Sequence, residues 1–410
     1  RADDGYPVNA PPILEKGKGA YVWDLDGNRY LDFGMALRAV TVGYDYEQIS
    51  NAAIEQIHNG NNLTRASKIE IEAARDLCEL IPWVDMVKFA KNGSTVTSAA
   101  VKLARAYTGK KYVARCFQHP FFSYDDWFIG DTVMDAGIPE EYKSLTLNFN
   151  FNDLASAEKL FQKYPGQIAA VILEPATTEE PKNNYLNQLK DLCHRNGTVF
   201  ILDEMITGFR WHLQGASAHY RVEPDLVTFG KGMANGFSVA ALGGKREIME
   251  LGGLFSDKER VFLISTTHGA EMCGLGAFVE TLKVYKELDV ISRIWQSGKM
   301  LVDGANAIAK DMGIGEYFEF IGVPCSPNFI TKDKTREASL EFRTLFVQEM
   351  IKQGVLMPWV AISYSHGDEE INITLEAIKH SLLVYRKALD DGIGTYLEGR
   401  PIKPVFRKWN

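Results

Sequence analysis

Between residues 87 and 266 the sequence alternates short apolar runs with helical stretches, and this alternation leaves few folds open to the chain. The runs cover 87–90, 112–116, 168–173, 199–202, 226–229, 239–242 and 261–264. They lack the polar alternation of a strand with one wet face, so they predict strands buried on both sides. Helical stretches at 153–163 and 187–195 separate several of them. That pattern predicts a mostly parallel sheet covered by helices. Upstream, alternating apolar residues flank Asp26-Gly27-Asn28, as in a hairpin over 19–32. From residue 290 the texture changes to longer helices, 336–353 and 369–389, with shorter strands between. The expected division is an N-terminal segment 1–55 joining a small domain, a large domain 56–289, and a C-terminal small domain 290–410.

A formal net charge of -8 argues against nucleic acid or an anionic membrane as partner, since both require a basic face. No apolar run approaches the length needed to span a bilayer. The sequence opens at Arg1 without a charged-then-apolar leader, so no targeting signal is expected. Five scattered cysteines (Cys78, Cys116, Cys193, Cys273, Cys325) form no C-x-x-C, and the eight histidines show no ligand spacing. A disulfide framework and a metal site are therefore not expected, and a reducing, cytoplasmic location is.

Chemistry concentrates where the apolar runs end, the place where open α/β sheets hold their ligands. One run ends at Asp203; another delivers Lys231 between Gly230 and Gly232. A lysine held there partly desolvated can form a Schiff base with a carbonyl. An aspartate beside it can hold a proton on the ring nitrogen of pyridoxal phosphate, keeping that ring an electron sink. Asn92-Gly93-Ser94-Thr95 follows a further run and opens a helix, so its backbone N–H groups and two hydroxyls suit a phosphate. The same residues also suit a plain helix cap. Asp203-Glu204 likewise has a second reading, as a strand-end pair that caps the next helix, with Gly208 allowing a tight backbone turn.

Four segments in this order carry a resemblance: Asn92-Gly-Ser-Thr with its helix, Ile172-Leu-Glu-Pro, Leu202-Asp-Glu-Met-Ile-Thr-Gly-Phe-Arg and Phe229-Gly-Lys-Gly-Met-Ala-Asn-Gly. The chain resembles class III pyridoxal-phosphate-dependent aminotransferases, most closely the branch typified by glutamate-1-semialdehyde aminomutase. The resemblance implies a fold-type-I α/β enzyme with a mostly parallel seven-stranded sheet and a smaller α+β domain built from both chain ends. It implies Lys231 as the Schiff-base lysine and proton shuttle, and Asp203 as partner of the ring nitrogen. Gly93, Ser94 and Thr95 would hold the cofactor phosphate, and Glu174 falls in the matching Glu-Pro motif. Thr267 matches a threonine that reaches the phosphate across a homodimer interface, with Thr266 a close rival. Counting back from Asp126-Trp127 puts Phe121 over the cofactor ring, with Phe122 as alternative.

Departures from the aminomutase concern the substrate. Leu37 stands at its substrate-contacting tryptophan, and its active-site glutamate has no evident counterpart. Beside Leu37, Arg38 could bind a carboxylate by a bidentate fork, and Arg65 is a second candidate for an anion. The expectation is an enzyme that moves an amino group between a small-molecule amine donor and a carbonyl acceptor through the pyridoxamine form of the cofactor. The alternatives are the intramolecular aminomutase, with the loop 118–143 as lid, and a non-catalytic scaffold of the same fold.

Overall fold

The computed structural model describes residues 5–261 and 264–408, which divide into two compact units. Unit 1 comprises residues 1–47 and 285–405, and unit 2 residues 48–284 and 406–410.

Unit 1 opens with three antiparallel strands, β1 (Leu14–Lys18), β2 (Tyr21–Asp24) and β3 (Arg29–Asp32). The β2–β3 turn forms because the Asp24 carboxylate accepts from the backbone N–H of Asp26 and of Asn28, while Gly27 takes φ 83°. Directly after β3, Met35, Ala36, Leu37 and Arg38 adopt φ of 40°, 48°, 61° and 70°. This is a full left-handed turn made of four L-residues. At roughly 1–2 kcal/mol each, such residues cost about 4–8 kcal/mol together. Hydrogen bonds hold the turn: Asp32 accepts from Gly34 N (2.7 Å), Met35 N (3.0 Å) and Tyr44 OH (2.7 Å). Tyr44 OH accepts in turn from Ala36 N (3.0 Å), and Trp359 Nε1 donates to Gly34 O (3.0 Å).

Unit 2 is built on seven strands: β4 (Met86–Ala90), β5 (Tyr112–Cys116), β6 (Thr146–Phe149), β7 (Ile168–Leu173), β8 (Val199–Glu204), β9 (Leu226–Phe229) and β10 (Ala240–Gly244). Their order is β4-β10-β9-β8-β7-β5-β6, with β10 antiparallel to both neighbours and the other pairs parallel. The expected mostly parallel sheet is therefore present. Alternate residues of one strand enter two separate cores: Val199 and Ile201 one, Phe200 and Leu202 the other. That double burial is why these runs show no polar alternation. Edge strand β6 is not among the seven apolar runs; it reads Thr-Leu-Asn-Phe, with its middle residues Leu147 and Asn148 less buried than its ends. The run 261–264 is expected as a strand instead, and its residues 262 and 263 lie outside the described residues.

The later part of unit 1 holds a hairpin of β11 (Phe318–Ile321) and β12 (Asn328–Thr331), and β13 (Val355–Leu356), which runs parallel to β3. Helices Val290–Asp311, Leu340–Lys352 and Asp368–Asp391 accompany them. The helix expected from 336 begins at Leu340 because Ser339 caps it, its hydroxyl accepting from Phe342 N, while Arg336 sits at φ 69°. No helix among the described residues is long and apolar enough to cross a membrane.

Candidate active site

Strand β8 delivers two carboxylates to opposite faces of the sheet, since successive side chains alternate. Asp203 continues the Val199–Ile201 side, and Glu204 the Phe200–Leu202 side. Asp203 is 2% exposed. Its Oδ1 accepts from Met205 N (3.0 Å) and from Thr228 Oγ1 (2.9 Å), the residue opposite it on β9. Burial pushes its carboxyl up to about 6, against the pull of the Thr228 hydroxyl, the Lys231 cation and the Met205 amide. Glu204 is fully buried and does the capping: it accepts from Thr207 Oγ1 (2.8 Å), Ala216 N (2.6 Å), Ser217 N (2.8 Å) and Ser217 Oγ. The capping reading of Asp203-Glu204 thus falls to Glu204, and Asp203 takes no part in it. Gly208 differs from expectation. The left-handed residue of that turn is Phe209 at φ 58°, whereas a Cβ on Gly208 would meet Glu204 O and the Phe229 ring at 2.7 Å.

Lys231 stands two residues beyond β9 at φ 41°, opening the short 3-10 turn Lys231–Ala234. A bulky L-residue in the left-handed region is strained and persists only when its surroundings fix it. Gly230 before it is extended, and its neighbour is close: a Cβ would lie 2.6 Å from Met205 Sδ, so the Met205 side chain would have to shift. Gly93 has the same neighbour, at 2.7 Å. The Met205 thioether therefore abuts both glycines, and it brings the start of the Gly93–Thr108 helix, Asp203 and Lys231 into one region.

At that helix start Asn92 is the cap, its Oδ1 accepting from Thr95 N (3.0 Å) and from Thr95 Oγ1 (3.0 Å). Ser94 Oγ accepts from Tyr124 N (3.1 Å). Further bonds tie the loop 121–127 to the first two turns of the helix: Thr97 Oγ1 to Phe122 O (2.7 Å), Ser123 Oγ to Ser94 O (3.3 Å) and Trp127 Nε1 to Ser98 Oγ (2.9 Å). Downstream, buried Arg115 grips Asp131 (Nε–Oδ2 2.6 Å). The loop expected as a lid over 118–143 is thus anchored through its first half. Phe122 is 1% exposed and packs among Trp127 and Phe128, so it belongs to the core and does not cover a ligand. Phe121, half exposed, is edge-on to Phe128 and remains the aromatic that could. Buried Glu174 donates its N–H to His119 Nδ1 (2.9 Å). Burial drives the His119 pKa down to about 3, so the ring is neutral and carries its proton on Nε2.

The remaining expected residues take no part in these contacts. Thr267 and Thr266 are both exposed, and the Thr267 carbonyl accepts from Asn62 Nδ2 (2.8 Å). Arg65 is exposed just before the Lys68–Leu80 helix, and Arg38 ends the left-handed turn of unit 1.

The family model for "Aminotransferase class-III" matches residues 6–382. The chain belongs to this family. A 3-aminobutyryl-CoA aminotransferase of Cloacimonas acidaminovorans is 32% identical over 93% of this chain and 92% of its own. A glutamate-1-semialdehyde 2,1-aminomutase of Persephonella marina is 31% identical over 89% of this chain and 90% of its own. Among solved structures, the FumI protein of Sphingopyxis sp. MTA144, in a "PLP internal aldimine form", superposes with TM-score 0.87 at 25% identity, covering 98% of this chain and 94% of that one.

Class-III aminotransferases use pyridoxal phosphate, and the geometry of this one fits that cofactor. Among the described residues, both hydrogen bonds of Asp203 end on Oδ1, leaving Oδ2 to accept from a ring N–H. A carboxyl near pH 6 is also close to a pyridine nitrogen in proton affinity. The Gly93 and Ser94 amides open a helix, where N–H groups lack an intrahelical acceptor. The Ser94 hydroxyl, accepting from Tyr124, keeps its proton for a phosphate oxygen. The Thr95 hydroxyl donates to Asn92 and so completes the cap. Sequence reasoning missed Thr228 and Met205. The signal for Thr228 was a hydroxyl within an apolar run, since a buried polar group requires a partner.

Proposed function

We infer that this class-III aminotransferase passes an amino group from a donor amine to a separate carbonyl acceptor, with Lys231 and Asp203 as its catalytic pair. When bound, pyridoxal phosphate supplies an electron sink for the electrons released at the carbon bearing nitrogen. The Lys231 amine would hold the cofactor aldehyde and would carry the proton to and from that carbon. The Asp203 carboxylate would keep a proton on the ring nitrogen. Gly93, Ser94 and the helix start would bind the phosphate, Phe121 would cover the ring, and Glu174, its N–H held by His119, is a further candidate to hold the cofactor. Arg38 and Arg65 are the candidates for a substrate anion. The observation that carries the reading is the buried Asp203, lowered by the Lys231 charge while burial raises it.

Adding a donor amine should convert the absorbance of the holoenzyme to that of the pyridoxamine form, and Lys231→Ala should abolish the conversion. Borohydride reduction and peptide mass mapping should find the cofactor on Lys231; finding it on another lysine overturns the assignment. The aminomutase remains as second reading on the strength of relatives such as that of Persephonella marina. Under it, glutamate-1-semialdehyde would react without any added acceptor. We also read the enzyme as a cytoplasmic homodimer in which Thr267 reaches the partner's phosphate site. The half-exposed Ile54, Ile57 and Leu63 and the exposed Ile71 of unit 2 support an interface there, and five cysteines that form no disulfide among the described residues support the compartment. A fully active species sedimenting as a monomer would remove the dimer and the role of Thr267.

A further inference from the structure

Lys91 lies between the end of β4 and the Asn92 cap of the Gly93–Thr108 helix, where a cation invites a reading as a direct phosphate ligand. The structure sends its side chain elsewhere. The ammonium meets Glu271 Oε2 at 2.5 Å, with 22% and 26% of the two side chains exposed. Lys91 holds the Glu271 carboxyl below the usual carboxylate range, against the effect of partial burial and with help from Asn61. Asn61 Nδ2 donates to the other oxygen, Oε1, at 2.8 Å. The Lys91 main chain is gripped as well, its carbonyl accepting from Ser238 Oγ (2.6 Å) just before β10. Glu271 stands at the head of the Met272–Glu287 helix, which Asn61 caps: its carbonyl accepts from Met272 N (2.7 Å) and its Oδ1 from Cys273 N (3.0 Å). The chain before that helix lies against β4, since a Cβ on Gly269 would stand 2.8 Å from Phe89 O. In its first turn a Cβ on Gly274 would stand 2.5 Å from Val239 Cγ2 and 3.6 Å from Lys91 Nζ. Lys91 thus occupies a junction of the phosphate-binding helix start, the loop through Asn61, the segment carrying Thr267 and the approach to β10.

We propose that Lys91 and Glu271 are a positioning pair for the cofactor phosphate: joined to each other, they fix the turn that aims the Gly93 and Ser94 donors and tie it to the segment carrying Thr267. The proposal deepens, and rests on, the assignment of Ser94 and its neighbours to that phosphate. Donors must meet a ligand in both distance and direction, so residues that lock them act on affinity without touching the ligand. The competing role, Lys91 as a direct ligand, makes the opposite demand on Glu271. A carboxylate holding the ammonium would then compete with the phosphate, and its removal would tighten binding. Charge acting at long range gives the same opposite signs, since one partner attracts a phosphate and the other repels it. A positioning pair instead loses affinity when either partner is removed.

The test strips the enzyme of cofactor and titrates it, by absorbance, with pyridoxal phosphate and separately with pyridoxal, which has the same ring and aldehyde but no phosphate. Lys91→Met and Glu271→Met should each weaken pyridoxal phosphate about three- to tenfold, the scale of one charge-assisted bond lost at a partly exposed position. Pyridoxal binding should be unchanged in both. The double variant should lose no more than the weaker-binding single, because each residue acts through the other. Lys91→Arg, which keeps the charge and can still reach Glu271, should retain most of the affinity. Glu271→Met that binds the phosphate ester as tightly as the parent, or more tightly, overturns the proposal; with Lys91→Met weakened, it makes Lys91 a direct ligand. Equal losses for pyridoxal and its phosphate also overturn it, since the pair then supports only the fold. So do losses that multiply in the double variant, which would show two independent residues. Ser94→Ala tests the reading beneath. If it leaves the preference for the phosphate ester intact, the Ser94 hydroxyl leaves the phosphate site, while Lys91 and Glu271 are still judged by their own variants through the amides of 93 and 94.

Discussion

Replacing Asp203 by Asn tests the centre of the site with little change of shape. The amide oxygen can keep both bonds of Oδ1, from Met205 N and Thr228 Oγ1, and place its NH2 where Oδ2 stood. Packing is therefore preserved, and what changes is charge. An NH2 cannot accept from a protonated ring nitrogen, so a charge-assisted hydrogen bond of about 1.5–3 kcal/mol is lost, equivalent to roughly 10–100-fold in cofactor affinity. Removal of one preorganised electrostatic partner should slow the amine half-reaction by about 10²–10³ even at saturating cofactor. A second readout concerns the apoprotein. In the open chain the carboxyl titrates near 3.8, and burial raises it in the fold to about 6. Below about pH 4 it is neutral in both states. Between 4 and 6 the unfolded chain gives up the proton first, so the folded state binds more protons and stability falls as pH rises. Above 6 the loss levels off at about 3 kcal/mol, since one pKa step is worth about 1.4. Urea unfolding of the apoproteins at pH 4 and pH 7 should thus show the Asp203→Asn variant gaining on the parent by an amount of that order. If the difference between the two is the same at both pH values, the carboxyl is not desolvated as the structure has it. If the variant also turns over amines at the parental rate, the role of Asp203 in catalysis is refuted.

Other substitutions probe the supports of the site. Gly93→Ala puts a methyl 2.7 Å from Met205 Sδ and should cost about 1–3 kcal/mol. Met205→Val in the same chain should recover part of that, and strictly additive unfolding energies would show that the contact is absent. Glu204→Gln leaves one oxygen to serve donors that now use two, and the Ala216 and Ser217 amides cannot reverse direction. It should cost about 2–3 kcal/mol in denaturant unfolding without moving the absorbance of bound cofactor. Arg115→Met removes the buried cation that bonds the partly exposed Asp131 carboxylate and should cost about 1.5–3 kcal/mol, with proteolytic cleavage appearing first between 118 and 143.

Where the sequence was legible, one physical effect dominated. Runs such as Ile168–Leu173 are apolar on both faces because alternate residues feed two cores, and no other element of this length has that texture. Lys231 and Asp203 stood out because a charge at the end of such a run has to be accommodated. Edge strand β6 was lost because its middle residues, Leu147 and Asn148, are partly exposed and dilute the signal. Glycines misled in a more instructive way. Gly208 suggests backbone freedom in the sequence, yet a Cβ there would strike Glu204 O and the Phe229 ring, as one at Gly93 or Gly230 would strike Met205. Close approach is a property of the partner, and nothing local in the chain announces it. The converse holds at Met35–Arg38. Four ordinary L-residues give no hint of a left-handed turn, since the groups that enforce it, Asp32, Tyr44 and Trp359, include one more than three hundred positions away. Local sequence therefore reported what each strand buries, whereas the strain and the contacts that shape the sites were decided by tertiary structure. Glycine replacement at 37 and alanine replacement at 93 invert that relation: the first should relieve a constraint imposed from outside, and the second should create one.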